Sequence, residues 1–150
     1  MNTNNGDFMN KDNELLVKDI NYSLRRSIIC IKELLNSSRN EYVSDMLKFF
    51  YKKYLKMMKI SRIFLLENNI KPKSINKIRY NLCRLKLCLK KYLCYFFKVK
   101  NKGYIDEITL NMKRVMLSNG KYKYCTPKNK ELVSSYFSLE YSLIKFLEKV

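Results

Sequence analysis

The sequence predicts an all-α fold, a bundle of four long helices and one short helix. Three observations carry that expectation. Gly and Pro number only 3 and 2 in 150 residues, too few turn-formers for a protein of many short strands. Apolar residues make up 47% of the chain, enough to build the core of one domain of this length. Those apolar residues recur at spacings of three and four, the period of a helix with one buried face.

Residues 1–12 are polar and Asn-rich and read as a disordered tail, which leaves 13–150 as a single helical domain. Leu16, Ile20, Leu24, Ile28, Ile31, Leu34 and Leu35 predict the first helix over 13–36. A polar run over 36–40 breaks it. Ser38 followed three residues later by Glu41 is a capping-box pattern, in which each side chain satisfies an orphan backbone donor. It introduces a second helix over 41–66 that carries Val43, Met46, Leu47, Phe50, Tyr54, Leu55, Met58 and Phe64. Pro72 disfavours a helical conformation at Lys71, so 68–73 is a linker.

Ser74 is the expected cap of a third helix over 75–100. Its residues Ile75, Ile78, Leu82, Leu85, Leu89, Leu93, Phe96 and Phe97 form a near-continuous apolar stripe. This helix is expected to be the longest or second longest, with Gly103 just past its end. A short helix over 105–117 stops at Ser118-Asn119-Gly120. Thr126 and Pro127 suit the N-cap and first position of a last helix. That helix carries Leu132, Val133, Tyr136, Phe137, Leu139, Leu143, Ile144 and Leu147. Apolar stripes on long helices are expected to be buried against each other.

The chain reads as a non-enzyme, with no catalytic, cofactor-binding or metal site. It has no His, which excludes His-based triads, His acid–base chemistry and His-ligated metals. The 13 acids are scattered; Asp106-Glu107 is the only adjacent pair, and neighbours on a helix do not face each other. There is no glycine-rich phosphate loop. The cysteines are Cys30, Cys83, Cys88, Cys94 and Cys125, an odd number without a CxxC spacing. Residues 1–13 lack the apolar segment of a secretory leader, so buried free thiols in a reducing compartment are expected. No apolar run is long enough to span a membrane.

Charge is the loudest signal: 31 Lys and Arg against 13 acids, for +18 net. A field of that size attracts polyanions or acidic partner surfaces. The chain also lacks Ala and Gln and is rich in Lys, Asn, Ile and Tyr, a bias that AT-rich codons give to any protein. Both readings of the charge stay open. Residues 48–102 contain seventeen Lys or Arg and one acid, Glu67, interleaved with Tyr51, Tyr54, Tyr80, Tyr92 and Tyr95. That pattern fits a phosphate-tracking surface. It equally fits the solvated faces of two helices with tyrosines at the core margin, which is the reading favoured for the aromatics.

The stretch Arg84-Leu85-Lys86-Leu87-Cys88-Leu89-Lys90-Lys91-Tyr92 resembles a signature of the GINS-complex subunits, Arg-Asn-Lys-Arg-Cys-Leu-Leu-Ala-Tyr. Arg84, Lys86, Cys88, Leu89 and Tyr92 match in place, and Arg79 has a counterpart. A second block, 126–139, is similar to the last helix of the family's A-domain, with matches at Glu131, Tyr136 and Leu139. The chain departs from the family in lacking a Trp after the central helix, where Tyr104-Ile105 stands. The family's Glu is also missing at Asn129, and its small C-terminal β-domain has no counterpart up to Val150.

The resemblance implies a GINS A-domain-like bundle and a nuclear scaffold subunit for DNA replication. Such a subunit assembles with three sister subunits and supports the replicative helicase. It also implies that Cys88 and Tyr92 lie on the buried side of the central helix, near Tyr136. Arg84 and Lys86 leave that helix on different faces, so only one of them is expected in a buried ion pair. Glu131 sits near a helix N-terminus, which favours a carboxylate without any partner. Two alternatives stand beside this reading, a basic helical nucleic-acid-binding protein and a small helical protein-interaction domain, with the cytoplasm as their compartment. A scaffold predicts an exposed apolar patch. A nucleic-acid binder predicts one contiguous positive face over 48–102.

Overall fold

The fold comes from a computed structural model that describes residues 5–96, 101–118 and 127–150. Among the described residues the chain is all-helical, with five helices and no strand. They are α1 (Asn5–Ser37), α2 (Glu41–Glu67), α3 (Lys77–Phe96), α4 (Lys102–Ser118) and α5 (Pro127–Lys149). The expected stop at 119–120, the Thr126 cap, Cys125 and the 97–100 end of the third helix lie outside the described residues. So does the side chain of Cys94.

Several boundaries differ from expectation for local reasons. α1 starts at Asn5 rather than Asn13, so most of the segment read as a tail is helical. No proline interrupts it, and extending an existing helix needs no new nucleus. Asn40, not Ser38, caps α2: its Oδ1 accepts from the Val43 backbone N–H at 3.1 Å. Ser38 stands two residues further out and donates to the Asn40 carbonyl instead. α2 ends in a Schellman motif. Asn69 is left-handed (φ 56), its N–H donates to the Leu66 carbonyl, and the Ile70 N–H reaches back to Leu65 at 2.8 Å. Asn76, not Ser74, caps α3 by accepting from the Arg79 N–H at 2.9 Å.

α3 has 20 residues against 33, 27 and 23 in α1, α2 and α5, so it is neither the longest nor the second longest. Gly103 does not end a helix. It lies in the first turn of α4, where a Cβ would sit 2.8 Å from the Cβ of Lys90 on α3. The glycine therefore marks a close crossing of α3 and α4. The left-handed residue at this corner is Asn101 (φ 59), whose carbonyl accepts from the N–H groups of Tyr104 and Ile105.

α1 is the axis of the fold, because α2, α3, α4 and α5 all pack on it. Its expected stripe of Leu16, Ile20, Leu24, Ile28, Ile31 and Leu34 is buried, and so are Val17, Ile29 and Cys30 on its other sides. A helix surrounded by four others has little face left for solvent. α2 contributes Leu47, Phe50, Tyr54 and Leu65; α5 contributes Leu132, Val133, Tyr136, Leu139, Leu143 and Leu147. Phe50 and Phe146 meet across α2 and α5 with ring centroids 5.7 Å apart.

The stripe of α3 breaks the expected pattern. Ile78, Leu82, Leu85, Leu89 and Leu93 are between 57% and 70% exposed. Among the described side chains of α3, Cys83 and Leu87, on the opposite side of the helix, are buried in the core, with Tyr80 partly buried against it. α3 packs on α1 and α4 and touches neither α2 nor α5, so no described helix covers its broad apolar face.

Candidate interaction face and buried carboxylates

The outer face of α3 has a regular geometry. Ile78, Leu82, Leu85, Leu89 and Tyr92 follow alternating spacings of four and three, the seam spacing of a helix that packs along another helix. Tyr92 is 70% exposed on this face. The flanks carry Lys77, Arg79, Arg84, Lys86, Lys90 and Lys91, and α3 contains no acid.

Three of those cations hold α3 to the bundle. Arg84 Nε donates to Glu33 Oε1 of α1 at 2.6 Å. Lys86 Nζ donates to Glu107 Oε2 of α4 at 3.0 Å, and Lys90 Nζ lies 3.8 Å from the same oxygen. The inner apolar contact of α3 is thin, so these flanking pairs fix its orientation and keep the stripe pointing outward.

Glu107 is completely buried, and Arg26 of α1 donates to its other oxygen. Burial alone pushes its carboxyl up, but the hydrogen bonds from Arg26 and Lys86 outweigh that, leaving it below its ordinary value. Burial likewise works against the Arg26 charge, and the contact with Glu107 reverses the effect.

Glu140 of α5 is the second buried carboxylate. Ser27 of α1 donates to Oε1 at 2.7 Å and Tyr54 of α2 donates to Oε2 at 2.5 Å. Asn111 of α4 donates to Ser27 Oγ at 3.3 Å, so four helices meet in one hydrogen-bonded chain. Among the described residues no cation pairs with Glu140. Burial therefore dominates, and its carboxyl is pushed up to about 7 despite the hydrogen bonds. The neighbouring phenols of Tyr54 and Tyr136 are pushed well up, by burial first and then by the Glu140 charge.

The residues singled out in the sequence fall in two places. Arg79, Arg84, Lys86, Cys88 and Tyr92 lie on α3, and Glu131 and Tyr136 on α5. These two helices do not touch, so the fold does not bring the two blocks together. Cys88 and Tyr92 are exposed rather than buried, because they stand toward the outer side of α3, away from Cys83 and Leu87. Arg84 and Lys86 leave α3 on different sides as expected, yet both are paired, since α1 and α4 each present an acid. Tyr136 is core and Glu131 is exposed. Of the described thiols, Cys30 and Cys83 are buried and raised by burial, while Cys88 is open to solvent.

The buried residues Ser27, Glu107 and Glu140, and the partly buried Arg26 that pairs with Glu107, escaped the sequence reading. A signal existed. Glu140 stands four residues after Tyr136 and seven after Val133, on the apolar stripe itself. Glu107 shares its face with Tyr104 and Asn111.

No known protein family, curated protein or solved structure matches this chain.

Two surface clefts, one between α2 and α5 and one beside the start of α3, have neither Glu107 nor Glu140 in their lining. Among the described residues no group of His, Cys, Asp or Glu side chains is placed to hold a metal ion. No helix of the described residues is long and apolar enough to cross a membrane. The surface feature with the most developed geometry is the seam on α3.

Proposed function

We propose that this chain is a non-catalytic scaffold subunit that assembles with other helical subunits through the outer face of α3. The observation that carries the reading is the exposed seam of Ile78, Leu82, Leu85, Leu89 and Tyr92. Covering those side chains would remove apolar surface from water at roughly 25 cal/mol per Å², without rearranging the bundle. The alternating four–three spacing suits a helix as the covering element. Two copies of this chain would set one cationic α3, which contains no acid, against another, with Lys77, Arg79 and Lys91 beyond the cations engaged by Glu33 and Glu107, so the partner is a different protein.

The resemblance to the GINS family gives this proposal its specific form. The chain would be a divergent counterpart of the subunit called partner of Sld five, number one. In the nucleus it would assemble with three sister subunits and support the replicative helicase. The nucleic-acid alternative draws less support. Its basic stretch, 48–102, is divided between α2 and α3, which do not touch, and Lys48, Lys73, Arg84, Lys86 and Lys90 are engaged by acids of the same chain.

The test is co-expression with the sister subunits followed by size-exclusion chromatography. The wild type is expected to co-elute with at least one sister. Leu85→Glu and Leu89→Glu, at exposed positions, are expected to keep the helical fold and lose the complex. A wild type that runs as a stable monomer and captures none of the three sisters sinks the proposal.

A further inference from the structure

A groove of about 810 Å³ runs between α2 and α5, on helices that α3 does not touch. Its α2 wall is one helix face, followed from Phe49 through Lys53, Lys56 and Ile60 to Phe64. Those spacings of three and four span 15 residue steps, or roughly 22 Å at 1.5 Å per residue. The α5 wall runs from Lys128 to Ser142, a nearly equal length. Phe64 meets Lys128 and Phe50 meets Phe146, so the two helices run antiparallel past each other along a trough about four helical turns long.

The two walls differ in chemistry. The α2 wall is apolar at Phe49, Met57, Ile60 and Phe64, with Phe49 and Ile60 almost half exposed. The α5 wall presents Ser134, Ser138 and Ser142, one below another at successive turns. These small side chains let a neighbouring backbone approach closely. The Ser142 hydroxyl donates to the Ser138 carbonyl at 2.7 Å, so covering it leaves no donor unmet. Lysines mark the ends: Lys53 lies 4.3 Å from the Phe49 ring centroid and Lys128 lies 5.6 Å from that of Phe64. With Lys56 they make three cations along the trough, against one lining carboxylate, Glu131; Lys53 and Lys56 carry most of this charge, since Lys128 also lies 3.9 Å from Glu67 Oε2.

We infer that this groove is a docking site for an acidic amphipathic helix of a partner protein. Length and shape call for a helix of about four turns laid in the trough with its apolar stripe on the α2 wall. The three lysines call for carboxylates along its flanks. A second copy of this chain would bring +18 to a cationic groove. A nucleic-acid backbone would leave Met57, Ile60 and Phe64 without an apolar complement. The inference is independent of the α3 seam.

The probe is a fluorescein-labelled synthetic helix of 16 residues or so, with Leu at helical spacing and Glu on both flanks. Its binding to the full chain is followed by fluorescence anisotropy, beside a peptide with Lys in place of every Glu. The Glu peptide is expected to bind saturably and the Lys peptide at least about tenfold more weakly. Ile60→Glu, and separately the double variant Lys53→Glu/Lys56→Glu, are each expected to weaken the Glu peptide by about tenfold or more. Leu85→Glu on α3 is expected to leave it unchanged. All three sites are solvent-facing, and circular dichroism checks that each variant stays folded. The inference is overturned if the Glu peptide does not bind or the two peptides bind alike. Insensitivity to both groove variants, or an equal loss on Leu85→Glu, overturns it too. Displacement of the Glu peptide by duplex DNA at matched charge would reassign the lysines to a polyanion and overturn it as well.

Discussion

Replacing Glu140 with Gln should remove most of the pH dependence of stability between about pH 5 and pH 7. The Glu140 carboxyl rises from an ordinary 4.5 to about 7 on folding, because it is fully buried and its hydrogen bonds only partly offset that. In that window the folded chain holds a proton that the unfolded chain has lost. Stability contributed by the protonated form is complete below about pH 4.5 and falls as pH rises, reaching its floor above about pH 7. At 1.36 kcal/mol per pH unit, the shift corresponds to a loss of about 3 kcal/mol across the window. For a chain of this length that is on the order of 10 °C in Tm.

The composition makes the assay clean. With no His in the chain, no other side chain ordinarily titrates between pH 5 and pH 8. Urea unfolding at half-unit pH steps should give a falling midpoint for the wild type and a nearly flat profile for Glu140→Gln, whose amide offers one oxygen acceptor and one NH2 donor to the two hydroxyls of Ser27 and Tyr54. A wild-type profile that is flat or rises through this window, or one that Glu140→Gln leaves unaltered, refutes the reasoning.

Glu107→Gln leaves Arg26 partly buried without its counter-charge and removes the anchor of Lys86 and Lys90. It should cost about 3–5 kcal/mol in equilibrium unfolding and raise hydrogen exchange in α3 ahead of the rest. Its pH signature is opposite to that of Glu140, because a carboxyl held below its ordinary 4.5 loses its stabilising effect as pH falls through that region. Gly103→Ala should destabilise by about 1–3 kcal/mol despite the better helix propensity of Ala, since the new methyl meets Lys90 Cβ at 2.8 Å and α3 must move away; thermal unfolding measures it. Tyr92→Ala should change stability by less than about 0.5 kcal/mol, whereas Tyr54→Ala, which opens a core site and frees one oxygen of Glu140, should cost about 3–5 kcal/mol in the same assay.

The order of the helices and most of the core were legible because periodicity reports them directly. Leu16 to Leu34 in α1 and Leu132 to Leu147 in α5 are buried where their spacing puts them. Periodicity reports a face, however, and not what covers it. The stripe of α3 has the same signature as the stripe of α1, but one lies under four helices and the other under none. Tyr92 was placed on the buried side by the family resemblance, which likewise does not encode what covers α3 in this chain. Gly103 was read as a local stop because its constraint is a contact with Lys90, which spacing along the chain does not encode. The acids were read as pairs along the chain. Glu107 and Glu140 instead find Arg26 and Ser27 at separations of 81 and 113 residues. Asparagine caps were missed in favour of serines two residues upstream, where both residue types are good caps and only the backbone decides.

The polar groups on α1 bear on how the chain is made. α1 and α2 emerge from the ribosome before α4 and α5 and share an extensive surface. At that moment the acids that will satisfy Arg26 and Ser27 are still unsynthesised. A nascent hairpin with an unbroken apolar flank at those positions would expose a sticky surface to other nascent chains. With a guanidinium and a hydroxyl there, the waiting flank is wetted by water until α4 and α5 arrive. The charges that look costly inside the finished bundle thus act as a solubilising surface during its assembly, and are sealed only when the last helix closes over Ser27.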